Sequence, residues 1–269
     1  MSFNKSNLIV ERDLKRLGTA ELKDYVVHII CMRGRFDFMF DGNPFLLKSG
    51  EAMIVGVQQL LEHLRPSADL DVMCVYMKSD FLELCTPRSN YGIKGALALY
   101  AYPVMQMDAR RFEQLRQDFV QIEQRLLNTE NPFQEDILIC ATQMMFLDFF
   151  DIHAAQNGLT NISFQDTDII ARFMQMLERG DYVKNREVSY YADKLCVTPK
   201  YLSEVCKGVS GRTANYWITR FVIIHIRRLL KEREMTFTEI SDLFEFSSPA
   251  YFSRFVQKHL GVSPTNFRE

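Results

Sequence analysis

The chain has 269 residues, 47% of them hydrophobic and 25% charged, which is more than one domain of usual size, so two cored domains are expected and a fibre, a coiled rod or a disordered tail is excluded. The formal charge of −2 hides a division: residues 1–185 hold 19 Lys and Arg against 25 Asp and Glu, a net −6, and residues 186–269 hold 13 against 9, a net +4, the asymmetry of a chain whose C-terminal end meets a polyanion. No apolar stretch approaches the roughly 18 residues of a membrane span, Met1 to Asn7 has no apolar signal core, and Cys31, Cys74, Cys85, Cys140, Cys196 and Cys206 form no C-x-x-C pair, so the expectation is a cytoplasmic chain without membrane contact, its thiols reduced rather than held in a zinc ribbon or disulfides.

Taken in chain order, the first hundred residues read as strands. Tyr25 to Met32 is an apolar run rich in β-branched residues, and Arg35 to Asp41 puts Phe36, Phe38 and Phe40 on one face at period two. Asp41-Gly42-Asn43-Pro44 and Ser49-Gly50 supply turns, and Glu51 to Val57 and Leu70 to Met77 are further runs. Short strands punctuated by Gly suggest a small antiparallel barrel or sandwich.

A metal-dependent cupin enzyme would need two or three His and a carboxylate from adjacent strands. Only His28 and His63 lie in this part, with no H-x-H, so no metal and no cofactor is expected. A pocket for a small molecule without metal is the other option, lined by His28, Phe36, Phe38, Phe40, Met53 and Tyr76. An aromatic stripe in a strand is more often plain core.

From Asp108 the period changes to spacings of three and four through Phe112, Leu115, Phe119, Ile122 and Leu126. A seam that narrow suits pairing with the same helix of a second subunit as well as packing on the chain's own barrel. A second helix follows from Pro132 toward His153, and Gln156 to Asn161 reads as a linker.

The C-terminal third contains an internal repeat. Ser189 to Val197 matches Thr238 to Phe246 at an offset of 49, and Thr198 to Val205 matches Ser248 to Phe255 at an offset of 50. Each copy has the signature of a helix-turn-helix. A small residue, Ala192 or Ser241, stands where a second helix must cross closely. Thr198-Pro199 and Ser248-Pro249 are a hydroxyl N-cap followed by Pro at the first helical position, and Thr236 to Glu239 is a capping box. Residues 213–231 carry no Gly or Pro and form one long helix between the copies.

In each second helix the apolar residues Leu202, Val205 and Cys206, or Phe252, Phe255 and Val256, face inward. Lys200, Ser203, Glu204 and Lys207, and Ala250, Ser253, Arg254 and Gln257, are left outward as candidates for reading bases. Arg254 suits bidentate contact with guanine, Lys200 and Lys207 suit guanine or phosphate, and Glu204 can accept from cytosine. Arg212, Arg220, Lys258 and His259 are candidates for phosphate. Any one of these alone could be solvated surface; the doubled constellation is harder to read that way.

Through Ala192-Asp-Lys-Leu195, Thr198-Pro-Lys-Tyr201-Leu202-Ser203, Phe246 to Lys258 and Gly261 to Arg268, the C-terminal hundred residues resemble the AraC/XylS family of bacterial transcription regulators. The N-terminal part is similar to the family's sensor barrel through Gly34, Asp41-Gly42 and Ser49-Gly50. The resemblance implies an α+β chain: a cupin-like antiparallel β-barrel over 1–107, dimerisation helices over 108–157, a linker over 158–164, and an all-α DNA-binding domain over 165–269. That domain would hold helix-turn-helix units at 187–207 and 236–258. The chain would be a homodimeric regulator of double-stranded DNA, an activator with RNA polymerase as a further partner, answering to a small-molecule effector and not an enzyme.

The chain departs from the family's pattern at three places. Cys196 and Glu245 replace the Gly often found in each turn, so a left-handed backbone there would be strained and slightly different turns are expected. His225-Ile226 replaces a Glu and a small residue, which leaves packing of the long helix against the sensor half open. Glu204 would repel phosphate, so copy one is expected to bind more weakly than copy two.

Overall fold

Alternation of apolar and polar side chains puts the first 78 residues into strands. In the computed structural model, which describes residues 4, 6–87, 97, 102–157 and 163–268, these are β1 (Leu8–Glu11), β2 (Tyr25–Arg33), β3 (Arg35–Phe40), β4 (Asn43–Lys48), β5 (Ala52–Val55), β6 (Leu61–Pro66) and β7 (Asp71–Lys78), with β8 (Val104–Met105) following later. They pair antiparallel as two sheets, in the orders β1-β7-β2-β5-β8 and β4-β3-β6. Among the described residues no ladder joins the two sheets into a closed barrel.

β1, β6 and β8 were not legible in the sequence. β6 carries Glu62, His63 and Arg65, lies at a sheet edge, ends in Pro66, and is bulged where His63 takes φ +51°, so its composition reads as loop. Gly34, between β2 and β3, takes φ +78°, and a Cβ there would come within 2.8 Å of Leu70 Cα, so only glycine fits this turn.

The five-stranded sheet is apolar on both faces. On one face Ile30, Ile54, Met73, Val75 and Met77 form a core with helices α1 (Ser79–Cys85), α2 (Ala109–Leu127) and α3 (Gln134–Asn157). The predicted dimer seam lies inside this core. Leu115, Phe119 and Ile122 have no exposed surface, and Phe112 and Leu126 pack partly buried beside them. The expectation that these residues pair two subunits is therefore corrected: an apolar sheet face needs cover, and this stripe provides it within the chain.

α3 shows no apolar stripe, because it is apolar nearly all round. Leu138, Met145, Phe146, Phe149 and Ile152 are buried while Met144 and Leu147 remain exposed. By length and mean hydropathy (1.4), residues 134–156 could cross a membrane, with 39% of the apolar window buried. The sequence reading missed this because Asp148 and Asp151 interrupt the continuous run, whereas an average tolerates them.

The chain divides into two units, Met1–Asn161 and Ile162–Glu269. Residues 158–162 of the expected linker lie outside the described residues, and Ser163 already caps the next helix by accepting from the Asp166 amide. The second unit is all helical: α4 (Phe164–Glu178), α5 (Val188–Lys194), α6 (Pro199–Ser210), α7 (Ala214–Glu232), α8 (Phe237–Leu243), α9 (Pro249–Leu260) and α10 (Pro264–Arg268). Phe173, Tyr191, Leu202, Ile226, Phe244 and Phe252 are fully buried within it, each contributing about 1.5–3 kcal/mol relative to exposure.

Candidate nucleic-acid interface

Two helix pairs, α5–α6 and α8–α9, are built from the same local devices. Ala192 and Ser241 are fully buried at the crossings. Thr198 Oγ1 and Ser248 Oγ accept from the amides of Tyr201 and Tyr251, and Thr236 and Glu239 form the reciprocal capping box. These bonds fix where α6, α8 and α9 begin.

The two turns close in the same way. In copy one the Val197 and Cys196 amides donate to the carbonyls of Ala192 and Asp193, at 2.9 and 3.1 Å. In copy two the Phe246 and Glu245 amides donate to Ser241 and Asp242, at 2.9 and 3.0 Å. Both are Schellman endings, in which the residue after the cap is left-handed. Cys196 and Glu245 do adopt that conformation, at φ +56° and +50°.

Copy two is also braced from the segment preceding copy one. Lys184 Nζ pairs with Glu245 Oε1 at 2.7 Å, the Arg186 guanidinium donates to the Glu245 carbonyl at 3.2 Å, and it lies 4.2 Å over the Phe246 ring. Lys184 and Arg186 were not singled out from the sequence, because nothing local marks a partner some sixty positions away.

α7 locks the copies together. Trp217 Nε1 donates to Ser210 Oγ at 2.9 Å, tying it to the end of α6. His225 packs inside this unit, 5.2 Å from Phe244 and beside Tyr182, which answers the open question about its packing. Arg228 donates to Nε2 at 2.9 Å, so Nδ1 carries the proton and donates to the Tyr182 hydroxyl at 3.1 Å. Burial, with the Arg228 charge, pushes the imidazole down to about 4.

Of the outward residues, Lys200, Glu204 and Lys207 on α6, and Ala250, Arg254 and Gln257 on α9, are exposed, while Ser203 and Ser253 are half-buried. Lys200 and Glu204 face each other at 3.9 Å, so the carboxylate has a cation on its own helix. Arg254 lies 5.9 Å from the ring of exposed Tyr251. Gln257 donates to the Gly261 carbonyl at 2.7 Å and so serves its own helix end. Arg212 lies 5.0 Å over Tyr216, Arg220 is half-buried, and Lys258 is exposed. His259 stacks 4.6 Å from Phe255, and burial followed by the Lys258 charge lowers its pKa.

Residues 191–269 match a family described as a helix-turn-helix domain. The chain is 26% identical over 102 residues to the probable transcription factor PqrA of Proteus vulgaris, a match covering 38% of this chain and 81% of that protein. The helix-turn-helix match falls within the C-terminal hundred residues that resemble the AraC/XylS family. The chain is also 31% identical over 78 residues, 28% of this chain and 21% of the other, to the uncharacterised transcriptional regulatory protein YesN of Bacillus subtilis. A crystal structure of unsaturated fatty acid bound ToxT from Vibrio cholerae aligns at TM-score 0.46 and 13% identity, covering 100% of this chain and 97% of that one. The AraC/XylS-type domain is a DNA-binding domain, and the chain is a DNA-binding transcription regulator.

In the first unit His28 is separated from the other expected pocket residues, which are all buried. Phe36, Phe38 and Phe40 share one buried face of β3, with Phe36 and Phe38 stacked at 4.9 Å. Met53 and Tyr76 are fully buried on the sheet face opposite the helices. His28 lies on the other face, its ring 5.3 Å from Phe146 and 5.4 Å from Phe149 of α3. Burial alone drives its pKa down to about 3, so it is a neutral core residue and not part of that lining.

Proposed function

We propose that the chain is a sequence-specific activator that inserts α6 and α9 into successive major grooves of double-stranded DNA, about one helical turn or roughly 34 Å apart. The observation that carries this reading is the doubled constellation: two helix pairs with like turns and identically capped second helices, each leaving a polar exposed face on its second helix. Arg254, Lys200 and Lys207 are the base-reading candidates with the most reach. Lys258 and Arg212, with the helix N-termini, are the phosphate-positioning ones.

The N-terminal unit is the regulatory half in this reading, answering to a small molecule. Any homodimer would pair through a surface other than the α2 seam, and contact with RNA polymerase belongs to the activator role.

Selection of bound fragments from a random DNA pool by the full-length protein, at two salt concentrations, tests the proposal. The expected result is a motif with two half-elements one turn apart. Arg254→Ala should cost about 1–3 kcal/mol and relax preference at one base pair. Salt-sensitive binding with no motif would refute sequence-specific reading, and a uniform loss across all sequences would make Arg254 a phosphate contact.

A further inference from the structure

The two helices on the first unit's sheet face leave a groove between them on the solvent side. α2 and α3 are tied at one end by Gln134 Nε2 donating to the carbonyls of Arg125 and Leu126, and at the other by Arg111 Nε bonding Asp151 Oδ2 at 2.7 Å. Between these ties a groove of about 550 Å³ is lined by residues of both helices. Gln117 and Gln121 stand on one wall, Ile137 and Met144 on the other, and Asp118 lies at the floor.

Asp118 is out of place for a helix packed by its apolar face. It is 5% exposed, and its Oδ2 is buried with no hydrogen-bond partner. Asp148 of α3 lies close enough to its carboxyl to add to the effect of burial and raise its pKa. Two carboxyl groups that meet must hold a proton or a cation between them. Among the described residues no Lys or Arg forms an ion pair with either one. The charged and titratable groups that line the groove with Asp118 are Asp136 and Cys140 on α3 and Arg125, two turns further along α2. Nothing in the helix packing requires a carboxylate at this position, where an amide or an apolar side chain would avoid the desolvation cost.

We propose that this groove binds a small aliphatic amine, whose ammonium takes the place of the proton that the Asp118–Asp148 pair otherwise holds. The ammonium meets the two carboxylates, the amides of Gln117 and Gln121 accept its remaining N–H groups, and the hydrocarbon lies along Ile137 and Met144. Burial and the neighbouring Asp148 hold Asp118 well above the usual carboxylate range, so amine binding releases a proton and tightens as pH rises. The site is independent of the DNA-reading helices. It gives the regulatory reading of the N-terminal unit a ligand class, and the two fail separately, because the test below contains no DNA.

The experiment is isothermal titration of the full-length protein with n-butylamine and 1,4-diaminobutane at pH 6.5 and 7.5, in two buffers of different ionisation enthalpy. Butyrate and 1-butanol are the controls. The expected result is amine binding with release of about one proton, and an affinity rising about tenfold over that pH unit. Asp118→Asn, which keeps the neutral shape of the protonated group, should abolish binding. Asp148→Asn, at a half-buried position, should weaken it, so a folding defect in the first variant leaves a second one to decide. The proposal is overturned if no amine binds the wild type, if Asp118→Asn binds equally well, or if 1-butanol binds as tightly as n-butylamine. A change of oligomeric state in the groove variants without amine binding would also overturn it, and would give the groove to a second copy of the chain.

Discussion

Cys196→Gly should make the second unit more stable, against the usual direction of a point substitution. The Cys196 backbone sits at φ +56° while its side chain is exposed, so the thiol contributes little packing to offset the strain. A left-handed conformation costs a non-glycine residue about 1–2 kcal/mol. Glycine removes that cost and adds about 0.5–1 kcal/mol of unfolded-state freedom, leaving a net gain of about 0.5–1 kcal/mol. The single tryptophan, Trp217, is buried at 3% exposure in α7, so its fluorescence in a urea titration reports this unit and not the other. The midpoint should rise by about 0.3–0.5 M with the slope unchanged, given a slope of about 2 kcal/mol/M. Cys196→Ala, which keeps the Cβ, should leave the midpoint where it is. An unchanged or lowered midpoint in the glycine variant, with the alanine variant neutral, would refute the strain account. Glu245→Gly is the instructive contrast, because it also removes the ion pair to Lys184 and should gain less.

Three further outcomes are expected. The folded-state pKa of His225, about 4, lies below the unfolded value of about 6.5, so its contribution is complete above pH 6.5 and is lost as pH falls toward 4. His225→Leu should flatten that slope by about 1–2 kcal/mol after allowance for partial exposure, read by Trp217 fluorescence in denaturant at pH 5 and pH 7. Ser241→Leu should destabilise by about 1–3 kcal/mol through overpacking at the α8–α9 crossing and weaken DNA binding with it; binding unchanged in a gel-shift assay would contradict the close crossing. Burial raises the thiols of Cys31 and Cys85, to about 11 and about 12, and raises Cys74 further, so a thiol reagent should label exposed Cys140 and Cys196 and leave these three unmodified until the protein unfolds. Fast labelling of Cys31 in the native state would contradict its burial.

The C-terminal unit was legible because its signals are local and occur twice. A hydroxyl before Pro fixes a helix start through one bond to an amide three residues on, and a buried Ala192 or Ser241 marks a crossing wherever the fold is a helix pair. At the turns the sequence shows only the cost of a left-handed Cys or Glu, because the two amide-to-carbonyl bonds of the Schellman ending that outweigh it are visible only in the structure. In the N-terminal unit β2, β5 and β7 were readable as apolar runs and β3 by alternation, whereas β6, charged and at an edge, was not. The seam on α2 was visible as a stripe, but a stripe does not say what covers it. Nor could period-two alternation say which sheet face His28 belongs to, because both faces are apolar. Asp118 looked like an ordinary helix-surface acid until α3 was laid against it.

The brace from Lys184 and Arg186 reaches past the nearer helix pair to hold the turn of the farther one. The strip of chain entering the domain and the hinge of the last helix pair are thus mechanically one part.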